Sequence, residues 1–144
     1  LAKKYNALVM VDDCHATGFI GKNGKGSGEH CGVLDKVDII SSTFGKALGG
    51  ASGGFIYASK NIVDTLRQKS RPYLFSNSLA PALVVACLKA IDIINKNKNL
   101  IVKLHDNTTY FRDQIKEIGY EVKGDSHPIV PIMIYDAKQA VALS

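Results

Sequence analysis

Apolar residues in this chain come first in short unbroken runs and later at helical spacing. Residues 7-ALVMVD-12 form a continuous apolar run ending on an acid, the pattern of a strand buried on both faces as in a parallel sheet. A second run, 37-VDIISS-42, is again rich in β-branched residues. The stretch between them, residues 13–36, exceeds the dozen or so residues that a parallel crossover needs, so the two strands are expected to run parallel. Only ten residues, Thr43 to Ser52, precede the third run, 53-GGFIYAS-59. That is too short for a crossover with a helix, and the third strand is predicted antiparallel to the second.

Helical periodicity follows. In 59-SKNIVDTLRQKS-70 the residues Ile62, Val63 and Leu66 share one face, with Ser59 or Asn61 as N-cap. Within 71-RPYLFSNSLAP-81, Ser78 reads as the cap of the next helix and Pro81 as a first-turn proline. The run 82-ALVVACLKAIDIIN-95 is apolar enough for a buried helix. A longer amphipathic helix over residues 99–119 stops at Gly119. Beyond it, 119-GYEVKG-124 and 129-IVPIMIY-135 read as short strands and 136-DAKQAVALS-144 as the start of a helix. The change of pattern predicts a boundary near residues 92–100. Residues 1–92 form an α/β region with a mostly parallel sheet and one antiparallel strand. Residues 93–144 form a linking helix and the start of a smaller α+β domain.

Composition narrows the partners. The net charge of +5 is modest and spread along the chain apart from 96-KNKNLIVK-103, and no basic run is interleaved with aromatics. A nucleic-acid partner is therefore not expected. No apolar stretch is long enough to span a bilayer, and no signal peptide is present, so no membrane role is expected either. Cys14, Cys31 and Cys87 are too few and scattered for a disulfide framework, which predicts reduced thiols and a cytoplasmic setting. The chain opens without Met in what reads as a helix tail and closes inside an apolar pattern. It is expected to be a piece of a longer polypeptide.

The candidate chemistry centres on 41-SSTFGKALGGASGG-54, where Lys46 stands among small and apolar neighbours up to Gly49 and Gly50. If the first two strands are parallel neighbours, Asp12 and Lys46 lie at the same sheet edge, where ligands of open α/β sheets gather. His15, three residues beyond Asp12, reaches the same space. A lysine nucleophile must be neutral at the moment of attack, and desolvation lowers the cost of neutrality. Pyridoxal phosphate (PLP) needs this set: an amine for its aldehyde and a carboxylate for its pyridine nitrogen. Thr43 offers a hydroxyl and neighbouring amides to a phosphate.

Other constellations are weaker. Cys14, His15, His30 and Cys31 are adjacent pairs without zinc spacing, so no metal site is expected. The stretch 21-GKNGKGSG-28 does not fit a phosphate-loop pattern, and the glycines of 49-GGASGG-54 precede a strand instead of a helix. Residues 18–32 are expected to form a flexible lid or a subunit-contact loop. A competing reading of the whole is a non-catalytic α/β module binding a nucleotide or metal on that loop.

The segments 9-VMVDDCHATGFIGKNGKGSGEHCG-32, 41-SSTFGKALGGASGG-54 and 71-RPYLFSNSLAP-81 carry a D-x-x-H followed by T-x-G-K. In them the chain resembles the α-oxoamine synthases, fold-type I PLP enzymes that condense an amino acid with an acyl-CoA. The resemblance implies a fragment of the PLP-dependent transferase large domain followed by the start of the small domain. It implies that Lys46 holds the cofactor as a Schiff base and moves protons at the substrate α-carbon. Asp12 would pair with the pyridine nitrogen, His15 with the ring's phenolic oxygen, and Thr43 with the phosphate. Ser76 and Asn77 would reach a phosphate in the neighbouring subunit's site, making a homodimer. The implied substrates are glycine and acetyl-CoA, giving 2-amino-3-oxobutyrate and CoA, with the reverse cleavage serving threonine breakdown. Use of alanine with a pimeloyl thioester is the alternative within the family. A ring-stacking aromatic and a carboxylate-clamping arginine expected of the family lie outside these residues, so the chain alone is expected to be inactive.

Overall fold

A computed structural model describes residues 1–49 and 52–144. Gly50 and Ala51, part of the glycine-rich stretch above, lie outside the described residues. The chain divides into two compact units, Leu1–Lys98 and Asn99–Ser144.

The first unit is built on a sheet of order β1–β2–β3, with β1 at Met10–Asp12, β2 at Ile39–Thr43 and β3 at Gly54–Ala58. β1 and β2 pair in parallel, with Asp12 opposite Ser41. β2 and β3 pair antiparallel, with Ser41 opposite Ile56 and Thr43 opposite Gly54. Both directions follow the expectation from connection length. Period-two alternation then puts Met10, Asp12, Ile39, Ser41 and Ile56 on one face and Val11, Ile40, Ser42 and Phe55 on the other.

Two expectations of burial are not met. The run 7–12 is not buried on both faces: Met10 is 59% exposed. β1 is an edge strand with β2 as its one neighbour in the sheet, so half of its cover is missing among the described residues. The helix expected to be buried, α4 at Pro81–Lys96, buries only Cys87 fully, while Val84, Val85 and Leu88 are exposed. Its Leu83, Cys87, Ala90 and Ile94, spaced four, three and four apart, are its buried or half-buried stripe. The apolar core of this unit gathers Ala16, Phe19, Leu48 and Cys87. It therefore includes the base of the glycine turn.

The crossover from β1 to β2 holds the short helix α1, Ser27–His30, and a 3-10 turn at Leu34–Lys36. After β3, α2 spans Lys60–Lys69 with Ser59 at its N-cap position, and a short helix not expected from the sequence, α3, spans Arg71–Phe75. α4 is capped by Ala80 rather than Ser78, because Pro81 already occupies its first position.

In the second unit, α5 spans Asn99–Glu117 and is followed by Gly119 at φ 95°, the left-handed geometry that makes glycine a good helix stop. β4, Glu121–Val122, pairs antiparallel with β5, Ile132–Met133, and α6 spans Ala137–Leu143. Asp136 caps α6 by accepting from the Gln139 amide at 2.8 Å. The buried Arg112 of α5 donates to the carbonyls of Lys123, Gly124, His127 and Ile129, which holds the β4–β5 loop.

Candidate active site

Asp12 ends β1 and stands beside β2 because the two strands are in parallel register. Its Oδ1 accepts from the Cys14 amide at 3.0 Å and its Oδ2 from the Ser41 hydroxyl at 3.2 Å. The Cys14 thiol also donates to it. These bonds, with a smaller electrostatic contribution from Lys46, hold the Asp12 carboxyl below its ordinary range. The same thiol-to-carboxylate bond, with some desolvation, pushes the Cys14 thiol up. The sheet edge therefore presents a carboxylate whose ionised form is favoured by its hydrogen bonds.

Lys46 follows β2 in a turn closed by the Gly49 amide donating to the Lys46 carbonyl at 3.0 Å. Its Nζ lies 3.0 Å from His15 Nε2. With lysine as an ammonium, which only donates, Nε2 must accept and the ring proton sits on Nδ1. The expected desolvation of this lysine is not what the turn provides. Leu48 points inward and is buried, whereas Gly45, Lys46 and Ala47 are exposed. The amine is held by an imidazole, not sheltered by apolar neighbours.

Thr43 is engaged within the turn: its hydroxyl donates to the Gly53 carbonyl and accepts from the Gly45 amide, each at 3.1 Å. Reaching a phosphate would redirect that hydroxyl away from Gly53. Ser76 and Asn77 follow α3, are exposed, and carry no side-chain hydrogen bond among the described residues. The structure does not join them to Asp12, His15 or Lys46. Their segment does approach the glycine turn, since a Cβ on Gly53 would lie 2.5 Å from a Leu79 methyl.

A cleft of about 720 Å³ opens between the Asp12 face of the sheet and α2–α3, lined by Met10, Asp12, Ser41, Ile56, Leu66 and Tyr73 among others. Lys46 and His15 do not line it. Asp12 therefore lines the cleft and also feels the charge of Lys46, which does not line it.

The sequence reading missed Asp13, which is 2% exposed and accepts from the Ser27 amide and hydroxyl. The signal was the doublet in VDD: strand alternation sends one carboxylate to the edge and the next inward. It also missed Glu29, which accepts from the amides of Asn23 and Lys25 and from the Asn23 side chain. Partial burial would raise the Glu29 carboxyl, but the hydrogen bonds outweigh it and hold it below its ordinary range. Residues 18–32, expected to be a flexible lid or a subunit-contact loop, form a hydrogen-bonded loop with Gly18, Gly24, Gly26 and Gly28 buried.

The donor set fits PLP: an amine, an imidazole touching it, and a carboxylate held ionised at the same edge, which is what a protonated pyridine nitrogen needs. The comparisons agree. Residues 1–144 match the family model described as aminotransferase class I and II, and the chain belongs to that family. It is 54% identical over 137 residues to the 2-amino-3-ketobutyrate coenzyme A ligase of Escherichia coli K12, covering 95% of this chain and 34% of that protein. To the 8-amino-7-oxononanoate synthase of Petrotoga mobilis it is 48% identical over 144 residues, covering 100% and 36%. Among solved structures, a serine palmitoyltransferase variant from S. paucimobilis with a bound PLP–myriocin aldimine superposes with a TM-score of 0.89 at 30% identity, covering 96% of this chain and 36% of that one. The chain spans about a third of the length of the curated relatives it matches.

Proposed function

We propose that this chain carries the cofactor cradle of a PLP-dependent acyltransferase that condenses glycine with acetyl-CoA to 2-amino-3-oxobutyrate and CoA. In reverse, the same enzyme cleaves the ketoacid with CoA. The observation that carries the reading is the 3.0 Å contact of Lys46 with His15 beside the ionised Asp12, in a chain 54% identical to a 2-amino-3-ketobutyrate coenzyme A ligase. PLP bound there supplies an electron sink for the glycine α-carbon.

The residues divide the remaining work. Lys46 Nζ is the covalent anchor and, once released, the base that moves the α-proton. His15 hydrogen-bonds that amine in the structure and would hydrogen-bond the phenolic oxygen of the ring. Asp12 holds the pyridine proton, and the bonds from Cys14 and Ser41 keep it ionised for that purpose. Thr43 binds phosphate. Ser76 and Asn77, exposed beyond α3, serve the site of the second subunit of a cytoplasmic homodimer. The first unit belongs to the cofactor-binding large domain and the second to the start of the small domain. The chain alone is inactive, and measurable acetyl transfer by residues 1–144 would refute that.

The 48% identity with an 8-amino-7-oxononanoate synthase favours a second reading, in which alanine and a pimeloyl thioester are the substrates. Full-length protein assayed with glycine or alanine, each against acetyl-CoA and pimeloyl-CoA, separates the two. Borohydride reduction with PLP should add the cofactor's mass to the Lys46 peptide. Addition at another lysine overturns the assignment, and no addition anywhere favours a non-catalytic module.

A further inference from the structure

Asp13 buries a carboxylate for which no ion pair occurs among the described residues. Such a charge is tolerated only where donors surround it. The Ser27 amide, at 3.1 and 3.3 Å from the two oxygens, and the Ser27 hydroxyl supply them. The loop closes tightly on this group. A Cβ on Gly26 would lie 1.9 Å from Oδ2, and Gly26 adopts φ 92°, so the position is restricted to glycine twice over.

The main chain of Asp13 is equally committed. Its amide donates to the Ser41 carbonyl of β2 at 2.8 Å, and its carbonyl accepts from the amides of Ala16 and Thr17, each at 2.9 Å. His15 sits inside that turn. The Ser42 hydroxyl reaches the Thr17 hydroxyl at 2.7 Å, which binds the turn to β2 a second time. From Thr17 to Lys25 the loop folds back on itself, with the Gly18 amide on the Gly24 carbonyl and the Gly26 amide on the Ile20 carbonyl. Its other side meets the lysine turn: a Cβ on Gly18 would lie 3.0 Å from a methyl of Leu48, two residues past Lys46.

The loop thus stands on two feet, Asp13 next to His15 and Leu48 next to Lys46. We propose that Asp13 is a positioning residue: by tying Gly26–Ser27 of the loop to the turn that carries His15, it sets the approach of the imidazole to the Lys46 amine. The inference rests on the reading of Lys46 as the cofactor anchor and of His15 as the imidazole that hydrogen-bonds at that site.

The test uses full-length protein and two readouts. In cofactor-free protein, ¹⁵N NMR of His15 should show one tautomer with Nε2 as acceptor. Asp13→Asn and Ser27→Ala should lose that preference, and Ser27→Thr, which keeps the hydroxyl, should retain it. With PLP added, the fraction trapped at Lys46 by borohydride should fall about tenfold in Asp13→Asn and less in Ser27→Ala. Lower melting temperatures with wild-type His15 resonances and wild-type trapping would overturn the proposal, because they describe a merely structural carboxylate. So would mixed tautomers in the wild type. If Asp13→Asn does not fold, the Ser27 pair decides. If the wild-type protein takes no PLP at Lys46, the functional reading fails while the NMR comparison still tests the positioning.

Discussion

Among the described residues each unit buries one charged side chain, and opposite halves of the peptide group answer them. In the first unit Asp13, 2% exposed, collects N–H and O–H donors from Ser27. In the second unit Arg112, 3% exposed, donates to the carbonyls of Lys123, Gly124, His127 and Ile129, while its Nε finds no partner. Both organise a loop without an ion pair. They differ in what the loop does next: Asp13's loop runs beside the contact between the Lys46 amine and the His15 imidazole, whereas Arg112's loop joins β4 to β5. A buried charge is costly unless polar groups surround it, so each one fixes the loop that supplies them, and function depends on what stands beside that loop.

The largest expected effect separates reaction from stability in the first unit. Lys46→Ala should abolish borohydride trapping at position 46 and cut turnover of the full-length enzyme by about a thousandfold or more. Because Lys46 is exposed, its removal should change unfolding free energy by no more than about 0.5 kcal/mol. A large loss of stability would mean that the amine belongs to the scaffold.

Arg112→Met should do the reverse. It removes the guanidinium that ties four loop carbonyls together and should destabilise the second unit by about 2 kcal/mol, measured by denaturant unfolding. PLP trapping at Lys46 should stay within about twofold of wild type under folding conditions. A collapse of trapping would show that the two loops are not independent.

Glu29→Gln is milder, on the order of 1 kcal/mol at neutral pH, since the amide can still accept from the Asn23 and Lys25 amides. Its sign with pH is defined. The native Glu29 carboxyl is held below its ordinary range, so its stabilisation is full above that range and lost as pH falls through the lowered value. The variant should therefore lose part of the acid-side slope of stability against pH. An unchanged slope would show that another carboxyl carries it.

Ser41→Ala is the smallest. Removing the hydroxyl from Oδ2 should let the Asp12 carboxyl rise toward its ordinary range, with the Cys14 bonds still holding it partly down. Carboxyl-carbon NMR against pH reads this directly. A carboxyl that does not move would assign the effect to Cys14 alone.

Much of this was legible from spacing. The length of the 13–36 connection and the shortness of 43–52 pointed to one parallel and one antiparallel pairing, while the register that sets Asp12 opposite Ser41 is a finding of the structure. Parallel strands end at one edge, so Asp12, His15 and Lys46 could be grouped before any coordinates. Gly119 as a helix stop was legible because a left-handed position after a periodic run has few other occupants. Burial was less legible. The apolar run at 7–12 and the apolar helix α4 show what could be covered, but not what covers it. The Lys46 environment misled for a related reason: a turn of small residues can point its one large apolar side chain, Leu48, inward and leave the amine outside.

Local pattern and connection length, which act through chain geometry, are thus written into this sequence: the strand directions, the helices, and the shared sheet edge at which β1 and β2 end. The partners of buried polar groups are not. That Asp13 meets Ser27 fourteen residues away, that Arg112 takes carbonyls from a following loop, and that Lys46 rests on His15 across thirty-one residues depend on how the chain closes in space. Hydrogen bonds are made at about 3 Å and say nothing along the sequence about where their other half will come from.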